Sequence, residues 1–153
     1  MTNNDYLRSL RYALNISDYK VVDIIKLAGL TVSIEEVRAY FKHEEEEGYV
    51  KCSDEVMAHF LDGMIYFKRG RDESKAPLPF EFPITNNLVL KKVKVAFSLK
   101  EEDMHEILAL AGFKIGRSEL SALLRKKGHE NYRECGDQFL RNFLKGLSLS
   151  GKN

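Results

Sequence analysis

The chain has 153 residues, of which 44% are apolar and 31% charged, and 24 Lys and Arg against 23 Asp and Glu give a net charge of +1. That balance excludes a disordered chain and provides material for a hydrophobic core. No run approaches about 18 consecutive apolar residues, and Met-Thr-Asn-Asn-Asp is not the start of a signal peptide, so no membrane span is expected and the expected location is the cytoplasm.

In chain order, apolar residues at three- and four-residue spacing predict four helices, on Leu7, Leu10 and Leu14, on Val21, Ile24, Ile25 and Ala28, on Ile34, Val37 and Phe41, and on Val56, Met57, Phe60, Leu61 and Met64. Asn15 ahead of Asp18 reads as a cap for the second, Ser33 with Glu36 as a capping box for the third, and Gly29 as the stop between them. Residues 71–84 follow, polar at first and then spaced by Pro77, Pro79 and Pro83, which forbids a helix and predicts an extended connector. Leu78, Phe80, Phe82 and Ile84 suggest that this connector lies against the protein surface.

Four further helices are expected on Leu90, Val93 and Phe97, on Met104, Ile107, Leu108 and Ala111, on Leu120, Leu123 and Leu124, and on Phe139, Leu140, Phe143, Leu144 and Leu147. Ser98 before Glu101 and Gly116 before Glu119 take the capping places, and Gly112 takes the stop. These stripes repeat the first set. Positions 2 to 64 align without a gap on 85 to 147, with about 18 identities, including Thr-Asn-Asn, Leu-Ala-Gly, and Tyr-x-x-Cys-x-Asp at Tyr49/Cys52/Asp54 and Tyr132/Cys135/Asp137. The expected fold is all-α: two tandem repeats of a four-helix unit, packed with pseudo-two-fold symmetry, spanning residues 1–70 and 85–153 around the connector 71–84.

The Leu-Arg-Ser-Leu-Arg helix after Asn-Asn, the two Leu-Ala-Gly sites, Cys52 to Leu61, and the block from Gly128 to Leu147 together resemble the YehS-like family of small bacterial proteins. That resemblance spans the chain and implies an internal duplication of a domain of unknown function. It implies no catalytic residue.

Enzyme signatures are absent: no phosphate-binding loop, nucleophile elbow, His-Glu-x-x-His or Cys-x-x-Cys occurs. No cofactor and no metal are expected, since Cys52 with His59, or Cys135 with His129, lacks the spacing of a four-ligand set. A residue needed in both copies is read as structural, because a single active site needs it once. On that ground the Tyr-x-x-Cys-x-Asp motif is expected to cap and fill the entrance of the last helix of each repeat, its cysteines being buried free thiols. Asn3, Asn4, Asn86 and Asn87 are expected to cap the first helix of each.

Charge does not repeat. The first copy carries −5 and the second +4. Arg117, Arg125, Lys126, Lys127, His129, Asn131, Tyr132, Arg133 and Arg141 form the candidate site, a basic stretch with an aromatic ring that suits phosphate contact and base stacking. The segment Val21 to Phe41 and its copy Met104 to Leu124 also have loosely the shape of a helix-turn-helix unit. The functional expectation is a non-enzymatic protein that binds nucleic acid through its second repeat. Two alternatives stand beside it: a protein-interaction adaptor or self-associating module joined through the unlike charges, and an unrecognised enzyme using Cys135 or His129.

Overall fold

The computed structural model describes residues 1–152, and among them every regular element is a helix. They run α1 (Asn3–Leu14), α2 (Asp18–Leu27), α3 (Ile34–Tyr40), α4 (Asp54–Arg69), α5 (Asn86–Ala96), α6 (Glu101–Leu110), α7 (Arg117–Leu124) and α8 (Asp137–Leu149). The first four and the last four are the two copies of one unit.

Helices α1 to α5 each start at a Ser or Thr whose side chain accepts a backbone N–H of the first turn, whereas α7 and α8 start at Gly116 and Gly136 without a side-chain cap. Thr2 and Asp5 form a reciprocal capping box on α1, and Ser33 and Glu36 form the expected one on α3. The caps of α2 and α6 differ from the sequence expectation. Ser17 accepts from the Lys20 N–H on α2, and on α6 the Lys100 N–H donates to Asp103 at 2.7 Å. Asn15 and Ser98 instead end the preceding helices, in the left-handed conformation at φ 53° and 52°. Asn tolerates that conformation because its short side chain bonds locally. Gly29 (φ 103°) and Gly112 (φ 73°) occupy left-handed turns just past α2 and α6, as the stop signal requires.

The two repeats exchange helices. Within each copy the second helix crosses the fourth, α2 on α4 and α6 on α8; between copies, α4 packs on α5 and α1 on α8. These contacts map onto one another when the copies are interchanged, which is the expected pseudo-two-fold arrangement. One continuous core results, running from Leu7, Ile24, Phe60 and Met64 to Leu90, Ile107, Phe143 and Leu147. The repeats are therefore halves of a single hydrophobic body.

Gly63 and Gly146 explain why α2 and α6 lie so close to their partners. A Cβ at Gly63 would stand 2.0 Å from the Ile24 carbonyl oxygen, and one at Gly146 would stand 2.0 Å from that of Ile107. Only glycine permits that backbone approach.

Polar burial breaks the symmetry. At the α4 and α5 contact, Lys92 donates to Asp62 at 2.7 Å and lies 3.0 Å from Glu81 of the connector. Burial alone would push the Lys92 ammonium down, but hydrogen bonds to Asp62 and Glu81 outweigh it and hold the pKa above the ordinary value. The corresponding positions at α1 and α8 are Ser9 and Lys145, which form no such pair.

Candidate nucleic-acid interface

The two loops that precede α4 and α8 are built on one plan. Asn4 donates to the Tyr40 and Val50 carbonyls and accepts from the Cys52 N–H; Asn87 does the same with Leu123, Arg133 and Cys135, at 2.9–3.0 Å. Val50 N–H reaches the Ala39 carbonyl in one copy, and Arg133 N–H reaches that of Ala122 in the other. Asn3 and Asn86 complete the clamp, donating to the Cys52 and Cys135 carbonyls and to Asp54 and Asp137. The Asn pairs thus fasten loops across the unit, whereas Thr2 and Thr85 cap the first helices. Asp54 and Asp137 likewise lie one residue past the caps, which are Ser53 and Gly136.

Cys52 and Cys135 are buried and free, as expected. Burial first, and then the nearby carboxylates of Asp54 and Asp137, push both thiols up to about 12. A nucleophilic thiol needs the opposite shift. His129 is exposed, and its Nδ1 accepts from the Asn131 N–H at 3.0 Å.

On this common loop frame the two copies display opposite charge. Positions occupied by Lys42, His43 and Glu44 in the first loop carry Arg125, Lys126 and Lys127 in the second, and the four-glutamate run Glu44 to Glu47 retains a single counterpart, Glu130. The backbone turns match as well: Glu46 to His43 and Tyr49 to Glu46 in one loop correspond to His129 to Lys126 and Tyr132 to His129 in the other.

The structure gathers part of the predicted site. Arg125, Asn131, Tyr132 and Arg133 line an open depression of about 590 Å³, which Glu119 and Glu130 also border. Arg125 and Tyr132 are shared with a second groove of about 600 Å³, whose walls add Lys126, Lys127, Lys91 and Phe82. Phe82 exposes 57% of its surface there, and Tyr132 is half-buried. Lys91 is paired with Glu81 at 3.3 Å, but among the described residues no carboxylate lies within 4.0 Å of Arg125, Lys126, Lys127 or Arg133.

Two predicted members lie elsewhere. Arg117 begins α7, about 12 Å from Arg125 by helical rise, beside Glu101 and Glu102 of α6. Arg141 stands on α8, facing α1 across a separate groove. Sequence reasoning missed Phe82 as a member of the site; its only signal was an apolar residue in a Pro-rich connector. The helix-turn-helix comparison fits poorly in shape: α3 has 7 residues, and the chain between α2 and α3 runs from Ala28 to Ser33, longer than the three- or four-residue turn of that motif.

A family model described as "Protein of unknown function (DUF1456)" matches residues 3–70 and 86–152, once for each repeat. The chain belongs to this family. It is 45% identical over 148 residues to "Uncharacterized protein YehS" of Escherichia coli (strain K12), covering 97% of this chain and 95% of that protein. No solved structure matches. The two matched segments of the DUF1456 family fall on either side of the Pro-rich connector, in agreement with the internal duplication. No helix among the described residues is long and apolar enough to cross a membrane.

Proposed function

We propose that this DUF1456 member is a cytoplasmic, non-enzymatic protein that binds nucleic acid through the loop between α7 and α8. The observation that carries the reading is the reversal of charge on a conserved internal frame: the same hydrogen-bonded loop is acidic in one repeat and basic in the other. A loop needed only to close the fold has no reason to change sign. Arg125, Lys126, Lys127 and Arg133 supply phosphate contacts, and Asn131 stands where a side-chain amide can bond a base or a sugar. Tyr132 and Phe82 flank the cations with rings, an arrangement that suits unpaired bases better than a duplex, whose bases are already stacked. His129 stays at the loop tip, its Nδ1 accepting from the Asn131 N–H. Arg117 and Arg141 lie outside this contact. The raised pKa of both thiols counts against a nucleophilic role for Cys52 or Cys135.

The test is a fluorescence-anisotropy titration with labelled single-stranded DNA and RNA, comparing the natural chain with Lys126→Glu plus Lys127→Glu. Both side chains are exposed, so the variant keeps the fold. Binding at low salt that falls at least tenfold in the variant supports the reading. No binding, or equal binding by both proteins, ends it.

A further inference from the structure

Stability alone does not account for the buried ion pair at the α4 and α5 contact, since a well-packed apolar pair of similar volume is often as stable or more so. The pair also occurs in one seam only. Where α1 meets α8, the equivalent positions carry Ser9 and Lys145. The seam that has the pair is the one whose two helices the connector joins.

Glu81 links the connector to that pair. One of its carboxylate oxygens accepts from Lys91 at 3.3 Å, and the other lies 3.0 Å from Lys92, whose ammonium also donates to Asp62 at 2.7 Å. The side chains of Lys92 and Asp62 are only 7% and 2% exposed, so the connector is tied to a fixed point in the core. Burial alone would raise the Glu81 carboxyl, but hydrogen bonds and charge from Lys92 and Lys91 hold it below the ordinary value, and the tie persists at neutral pH. Before it, the Leu78 N–H donates to the Tyr66 hydroxyl at 3.0 Å, and the Phe80 ring lies 4.2 Å from that of His59. After it, Ile84 packs against the core.

Phe82 sits between these anchors. Among the described residues it pairs with no other ring, and it exposes 57% of its surface at the groove that Lys91, Arg125, Lys126 and Tyr132 also line. A ring held in place loses less freedom when a base stacks on it. Glu81 and Asp62 balance Lys91 and Lys92, so the tie adds no net charge to the groove.

Resting on the nucleic-acid reading of this groove, we propose that Glu81 is a positioning residue. Through Lys92 and Asp62 it holds Phe82 as a stacking platform, so that the groove selects strands with unpaired bases over a bare polyanion of equal charge. Phosphate contacts from the loop cations cannot draw that distinction, because they carry no information about the base.

Anisotropy titrations of the full chain with a labelled oligothymidylate, and with an abasic strand of the same length, read the ratio of the two affinities. A change of protein charge moves both strands alike, whereas contact with bases moves the ratio. The natural chain should prefer the oligothymidylate by about tenfold, and this preference should fall about fivefold in Phe82→Ala and about threefold in Glu81→Ala. Neither variant should lose affinity for the abasic strand. Lys92 keeps Asp62 in Glu81→Ala, and a melting curve confirms the fold. Equal affinity of the natural chain for the two strands, or a preference that survives intact in Phe82→Ala or Glu81→Ala, overturns this role of Glu81 and leaves the phosphate-binding loop standing. Failure of the natural chain to bind either strand overturns both.

Discussion

Replacing Gly63 with alanine tests the helix crossing on which each repeat is built. The added methyl would lie 2.0 Å from the Ile24 carbonyl oxygen and 2.8 Å from its carbon, so α2 must withdraw by at least about 1 Å to reach the 3.0 Å below which real Cβ atoms essentially never approach. Overpacking of this kind costs about 1–3 kcal/mol, and the upper end applies because the obstacle is backbone that cannot change rotamer. Alanine returns about 1 kcal/mol as the better helix former, leaving a net loss of about 2 kcal/mol. For a chain of this size that lowers Tm by roughly 4–8 °C. Thermal melts by circular dichroism, with urea midpoints beside them, read the effect. Gly146→Ala should behave alike, since its Cβ meets Ile107 at the same distance, whereas Gly136→Ala, with nothing within 4 Å, should cost less than about 1 kcal/mol. Because both crossings serve one core, each variant should melt in a single transition. A Gly63→Ala protein as stable as the parent, or more stable, would refute the close-crossing argument.

Lys92→Ala should cost about 3–5 kcal/mol by stranding the buried Asp62 carboxylate, while Asp62→Leu with Lys92→Met should recover most of it; equal losses in both proteins would contradict the pairing. Asn4→Ala removes three hydrogen bonds from the loop before α4 and should destabilise by about 2–4 kcal/mol, more than Asn87→Ala, whose site is only half-buried; urea midpoints of the two variants give the order. The thiols define an alkaline limit. With both pushed up to about 12, the unfolded chain ionises first, so their contribution is complete below about pH 9 and is lost as pH rises towards 12, at about 1.4 kcal/mol per pH unit for each thiol. Urea midpoints between pH 7 and 10 should fall less steeply in Cys52→Ala plus Cys135→Ala. Ellman's reagent at pH 8 should meanwhile react quickly only after unfolding, and a native reaction as fast as the unfolded one would sink this account.

The helices were legible because each buries a stripe that the sequence spells twice, as Leu7 and Leu10 answer Leu90 and Val93. The capping box at Ser33 and the stops at Gly29 and Gly112 were legible because they act within one turn. Asn15 and Ser98 misled because the cap and the left-handed terminator favour the same polar residues, and only backbone dihedrals separate them. The Asn4 and Asn87 clamps were out of local reach, since their partners lie up to 48 residues away. Their joint repetition with Cys-x-Asp was the available sign of a link. Asp62 and Lys92 carried no such sign, because neither is repeated and each sits beside apolar neighbours on its own helix. For the candidate site, charge asymmetry pointed to residues 125–133, while the separation of Arg117 and Arg141 depended on how α6 and α1 pack beside them.

The salt dependence of single-strand binding tests the functional account most directly. Four phosphate contacts, from Arg125, Lys126, Lys127 and Arg133, predict a slope of log affinity against log salt of about −3, or roughly a 60-fold loss between 50 and 200 mM. Lys126→Glu plus Lys127→Glu should at least halve that slope. A slope near zero, or the same slope in both proteins, would contradict the assignment of this loop as the phosphate-binding surface.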